Sequence, residues 1–147
     1  MCWDFFVESH YRRLQNAEGF HQLRSFAKLR DWRIDWNLKK LLIAEEKIAL
    51  VTDLAQVIQF ATPNMIAMNG YAPDEVIGQQ PKMFQGKDTN PETRNEIREA
   101  IIRCIPFKGT IINYRKEGTP YKCVVEEYPV WNKSGALVNF IAFEKIA

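Results

Sequence analysis

The chain has 147 residues, 46% of them hydrophobic and 26% charged, with a net charge of +2. That is enough for one cored domain with an appendage, and too little charge for general attraction to polyanions. No apolar run reaches the roughly 18 residues of a membrane span, and Met1-Cys-Trp-Asp-Phe-Phe-Val-Glu at the start lacks the basic and apolar regions of a secretory signal.

Cys2, Cys104 and Cys123 are irregularly spaced, with no Cys-x-x-Cys pair. They fit neither a zinc site nor a disulfide framework, so reduced thiols in a cytoplasmic protein are expected.

Residues 1 to 44 have helical periodicity and no proline. Trp3, Phe6, Val7, His10, Tyr11 and Leu14 share one helical face. Asn16 to Gly19 is expected to break the helix, because glycine is costly inside one and asparagine can end one. A second amphipathic stretch carries Phe20, Leu23, Phe26, Ala27 and Trp32, and Asp35-Trp36-Asn37 is placed to cap a last short helix through Leu38, Leu41 and Leu42. So many large aromatics must cover either a sheet or a second subunit. The basic residues Arg12, Arg13, Arg24, Lys28, Arg30 and Arg33 alternate with Glu8, Glu18, Asp31 and Asp35. That pattern is a solvated helix face rather than a nucleic-acid footprint.

From Lys47 the period changes to two. Ile48 to Asp53 and Val57 to Ala61 read as an antiparallel hairpin. A helix with Met65, Ile66 and Met68 should follow, ended by Gly70, and then a short helix over Pro73 to Ile77 with acids near its positive end. The longest helix of this part begins at Thr89-Asn-Pro-Glu92 and carries Ile97, Ala100, Ile101 and Cys104 on one face. Strands are expected over Phe107 to Arg115, Tyr121 to Trp131 and Ala136 to Phe143, with turns at Lys116-Glu-Gly118 and Asn132-Lys-Ser-Gly135. Two strands, several helices and three more strands indicate an α+β fold with an antiparallel sheet.

The segment Gly78-Gln-Gln-Pro-Lys-Met-Phe-Gln85, with Phe107-Lys-Gly-Thr-Ile-Ile-Asn-Tyr-Arg-Lys-Glu-Gly-Thr-Pro-Tyr121 downstream, resembles a PAS domain of the LOV (light, oxygen or voltage) branch. The resemblance covers Glu45 to the C-terminus. It implies a PAS fold: a five-stranded antiparallel sheet with short helices on one side, here preceded by N-terminal helices. The division is then 1–44, a helical extension for dimerisation or signalling, and 45–147, the PAS domain.

Photoactive LOV domains carry Gly-x-Asn-Cys-Arg-Phe-Leu-Gln, whose cysteine bonds to flavin C4a under blue light. Here the asparagine corresponds to Gln80, the cysteine to Pro81 and the phosphate-gripping arginine to Lys82. Proline has no thiolate, so that bond cannot form there. Among the other implied cofactor-binding positions, Gln85 and Asn113 keep the family residue, whereas Cys123 stands for an asparagine and Glu144 for a glutamine that senses flavin N5. An ionised Glu144 in an apolar pocket is costly, and lysine lacks arginine's bidentate fork. These departures set the expectation against flavin mononucleotide (FMN). Haem is not expected either, since His10 and His21 lie outside the resemblance, and no metal-ligand spacing occurs. Phe60, Met65, Met68, Met83, Phe84, Ile101, Ile112, Val124, Phe140 and Ala142 are expected around the pocket.

No catalytic motif is found, so the chain is not expected to be an enzyme. The expected function is a cytoplasmic sensory or signalling module that binds a small molecule or partner protein, without the cysteine photochemistry. Output would run through the N-terminal helices, and homodimerisation through them is expected. A ligand-free interaction module and a flavoprotein without photochemistry are the alternatives.

Overall fold

The computed structural model describes residues 2–147, with side chains from residue 3 onward. Five strands form one antiparallel sheet: β1 (Ile48–Thr52), β2 (Ile58–Ala61), β3 (Phe107–Tyr114), β4 (Pro120–Trp131) and β5 (Leu137–Ile146), in the order β2-β1-β5-β4-β3. The helices are α1 (Cys2–Leu29), α2 (Met65–Asn69), α3 (Pro73–Val76) and α4 (Pro91–Arg103), with a π-helical turn over Lys40–Ala44 and a 3-10 turn over Pro81–Phe84.

Both faces of the sheet are covered, which explains why all five residues of β1 are buried. On the inner face, Leu50, Ile58, Met65, Val76, Phe84, Ile111 and Val125 belong to one apolar cluster with α2, α3 and α4. On the outer face, Leu23, Ala27, Trp32 and Leu42 pack on Val51, Val130, Ile141 and Phe143.

Local chemistry sets the joints. Asp53 Oδ1 accepts from the amides of Ala55 and Val57, closing the β1–β2 turn. Gly70 ends α2 at φ 82°, the left-handed conformation glycine adopts without strain. Asn90 caps α4 by accepting from the Glu92 amide, and Asn37 accepts from Lys40 N as expected of a cap. Gly86 crosses so close over Tyr114 that a Cβ there would lie 2.5 Å from the ring.

Two expectations fail. The N-terminal segment is not broken at Asn16–Gly19: α1 runs unbroken from Cys2 to Leu29. Gly19 is buried, and a Cβ on it would stand only 3.3 Å from Pro63 Cδ and Thr62 Cγ2. The glycine admits close packing of helix against loop, and that contact outweighs its poor helix propensity of about 1 kcal/mol. The second failure is one of phase. Ile111 and Val125, not Ile112 and Val124, belong to the inner cluster, while Phe60 packs on Phe26 on the outer face, with ring centroids 5.5 Å apart. A slip of one residue exchanges sheet faces.

Candidate functional site

Between the inner sheet face, the Pro81–Phe84 turn and α4 lies a cavity of about 70 Å³. Its lining includes Leu50, Thr52, Gln56, Pro81, Phe84, Gln85, Ile97, Ile111, Asn113, Val125, Glu127, Phe140, Ala142 and Glu144. Gln56, Pro81, Gln85, Ile97 and Glu127 also line a wider outer basin of about 690 Å³, together with Gln80, Lys82, Arg94 and Arg98. The two spaces thus share a wall and form a mouth and an inner end.

Pro81 takes the first position of the 3-10 turn, with Gln80 before it extended at φ −101° and ψ 150°. That is the conformation a following proline imposes, and its missing amide is one a helical turn leaves unpaired anyway. Gln80 Nε2 is tied back to the Ala55 carbonyl at 3.2 Å. Among the described residues, no cysteine lines the inner cavity or the basin.

The inner end is polar in an unusual way. Thr52 Oγ1 and Gln56 Nε2 are buried without hydrogen-bond partners, a state that normally calls for a ligand or ordered water. Asn113 is buried on β3 and Glu144 on β5. The Cys123 thiol donates to Glu144 Oε1 at 3.6 Å, a weak contact and the one side-chain hydrogen bond this carboxyl makes among the described residues. Burial pushes Glu144 up to about 7. Glu127 is likewise pushed to about 7, first by burial and then by the charge of Glu144. Burial and the same carboxylate drive the Cys123 thiol far above its ordinary range, so it stays protonated and unreactive. The Tyr121 hydroxyl is buried without a well-aligned partner, although the Asn69 and Asn113 amides lie beside it, and burial pushes its pKa well above the ordinary value, so it stays protonated.

Of the positions singled out in the sequence, Asn113, Gln85 and Glu144 line the cavity, while Gln80, Lys82 and Gln85 line the basin. Cys123 lies behind Glu144 rather than on the lining. Of the apolar residues expected around the cavity, Phe84, Phe140 and Ala142 line it, and Ile101 lines the basin; Met65 and Met68 are packed in the core beyond. Sequence reasoning missed Glu127, Thr52, Gln56, Arg94 and Arg98. Glu127 had a signal: it follows Tyr121, Cys123 and Val125 at a spacing of two, and those three are on the inner face.

The family model for the PAS domain matches residues 45–145. The chain belongs to the PAS domain family. Protein TWIN LOV 1 of Arabidopsis thaliana is 40% identical over 88 residues, which are 59% of this chain and 22% of that protein. Phototropin-2 of Oryza sativa subsp. japonica is 30% identical over 115 residues, 76% of this chain and 13% of that protein. A blue-light-activated histidine kinase of Brucella abortus is 35% identical over 85 residues, 58% of this chain and 17% of the kinase. The chain therefore spans less than a quarter of each of these relatives, and what it shares with them is a PAS/LOV sensory domain. In fold it is similar to the dark-state Aureochrome1 LOV domain, with TM-score 0.69, 24% identity, and coverage of 78% of this chain and 86% of that one. A LOV domain whose mechanism was probed with a flavin analogue matches with TM-score 0.69, 23% identity, and coverage of 77% and 86%. No helix among the described residues is long and apolar enough to cross a membrane.

These relationships overturn the expectation against FMN: the relatives and the fold neighbours are LOV domains, the flavin-holding branch of the family. The physical objection also weakens. An ionised Glu144 would oppose flavin as a buried charge, but a carboxyl raised to about 7 is available in its neutral, donating form. The residues present fit the group in character: amides and neutral-capable acids at the inner end, and the cations Lys82, Arg94 and Arg98 at the mouth, where none forms an ion pair among the described residues. The cavity is tighter than the roughly 300 Å³ at which ligand pockets begin, so a ring system enters only as the wall opens toward the basin.

Proposed function

We propose that this chain is a LOV-type PAS sensory module that holds FMN, or a phosphorylated heteroaromatic of the same class, without forming a cysteine bond to it. The observation that carries the reading is a cavity and a basin that share the Pro81 wall, with no cysteine on the lining of either among the described residues and three cations without ion pairs at the mouth. Bound flavin supplies blue-light absorption and reversible electron acceptance. Lys82, Arg94 and Arg98 would hold the phosphate outside, as charge pairing favours. Asn113, Gln85 and Gln56 would hydrogen-bond the ring edge, and Thr52 Oγ1 would gain the partner it lacks.

Output would run through α1. Its C-terminal half is packed on the sheet, whereas Trp3, Phe5, Phe6, Tyr11 and Leu14 in the N-terminal half are exposed, Trp3 by 76%. Such an apolar end supports pairing with a second copy, and the fungal photoreceptor Vivid, similar in fold, was solved as a light-state dimer.

Absorption spectroscopy of FMN-loaded protein during blue illumination tests the reading. Expected is a flavin spectrum with no reversible thiol adduct. A reversible adduct would overturn the cysteine-free part. A colourless protein whose melting is indifferent to FMN would favour the ligand-free interaction module.

A further inference from the structure

We propose that Glu127 and Glu144 share a proton as a carboxyl pair at the inner end of the cavity, and that a ligand presenting acceptor atoms is taken up together with a proton held there. This rests on the reading of the site as a flavin-class pocket and adds a proton linkage that selects which edge of the ligand faces inward.

The placement comes from strand register. On β4 and β5, Val125 is opposite Glu144 and Glu127 is opposite Ala142, so the two glutamates are diagonal neighbours on the inner face. Such neighbours have backbones about 7–8 Å apart, and glutamate side chains easily span that gap. Both line the cavity, Glu144 is 7% exposed, and no cation pairs with either. The neighbouring Glu126 does pair with Lys47, at 3.8 Å, but on the opposite face. Two like charges this close, with Glu144 buried and neither paired to a cation, disfavour each other, and the relief is a proton on one of them.

The titratable and charged groups facing the pair are few. From β4 come the Cys123 thiol, which donates to Glu144 but remains uncharged, and the Tyr121 hydroxyl, which burial keeps protonated. From the Pro81–Phe84 turn comes Lys82, and from α4 come Arg94 and Arg98, all three on the basin side. β1 and β3 contribute only the neutral Thr52 and Asn113. Burial pushes both carboxyls toward neutral pH, the charge of Glu144 pushes Glu127 further, and the Cys123 hydrogen bond pulls Glu144 the other way. A ligand covering the pair removes the remaining water and raises its proton affinity further. The protonated member then donates to an acceptor on the ligand, such as a ring carbonyl or imine nitrogen, as a neutral carboxyl in an apolar site can.

The test has two arms. In the first, ¹³C NMR follows the glutamate carboxyls of the ligand-free chain through a pH titration. Expected are two carboxyls titrating well above the ordinary range in linked steps, with the higher step shifted down in Glu127→Gln and in Glu144→Gln. Ordinary, independent titration overturns the pair whatever FMN does. In the second, calorimetric titration with FMN in buffers of different ionisation enthalpy counts protons. Expected is net proton uptake near neutral pH, with affinity falling by up to about tenfold per pH unit above the pair's titration, and both effects lost in the double glutamine variant. Proton-neutral, pH-independent binding overturns the linkage. No FMN binding at any pH overturns both the flavin reading and the ligand half of this proposal, and the NMR arm still decides the pair.

Discussion

Replacing Glu144 by glutamine removes a group that favours folding only when it carries a proton. Its folded pKa of about 7 lies above the ordinary 4.5, so the native state binds more protons than the unfolded chain between those values. Stability therefore falls as pH rises through that window, and the full loss is present above it. Glu144→Gln should match wild type near pH 4 and exceed it near pH 8 by on the order of 1–3 kcal/mol, read from denaturant unfolding. Equal stability of the two proteins at alkaline pH would contradict the burial assigned to this carboxyl. Trp32 tests a different contact: its Nε1–H donates to Asn139 Oδ1 at 3.0 Å, and Asn139 in turn donates to the Thr52 carbonyl. Trp32→Phe keeps an aromatic side chain but removes the N–H donor and part of the buried ring, stranding the Asn139 acceptor. A loss of about 1–3 kcal/mol is expected from the same unfolding measurement, and an unperturbed midpoint would count against the contact.

The elements show what a sequence can and cannot tell. Strand and helix order was readable because period two, helix caps and turn glycines mark them locally: Gly70, Asn90 and Asp53 do what their chemistry suggests. Phase was harder. Ile111 and Ile112 are both apolar, so pattern alone leaves either one to face inward. Asn113 and Cys123, read as site residues, already resolve it, because an inward Asn113 requires an inward Ile111, and an inward Cys123 requires inward Val125 and Glu127. Applying that constraint along β4 would have found the second acid. The continuity of α1 was not legible, because Gly19 is explained only by Pro63 and Thr62, 43 or more residues away in sequence. A side chain there should lever the helix from the sheet: Gly19→Leu is expected to cost about 1–3 kcal/mol through overpacking, and a neutral or stabilising result would show that α1 is not held at this point.

For the whole molecule, α1 joins two roles in one rod. Its second half is part of the outer core, and its first half carries aromatics into solvent. On the proposed output route, a change at the sheet would reach that exposed end and a second copy paired there. Sedimentation should find a dimer of the full chain and a monomer when Phe6→Glu and Tyr11→Glu are combined, with circular dichroism unchanged; a variant that remains dimeric would place the interface elsewhere. The ligand is the other whole-molecule question, because inner cavity and outer basin act as one site only if one molecule bridges them. Titrating the purified chain with FMN, while following its melting temperature, tests this most directly. Saturable binding of one FMN per chain, with melting temperature rising with free FMN by mass action, is the expected result; a melting temperature unmoved at every FMN concentration would contradict it.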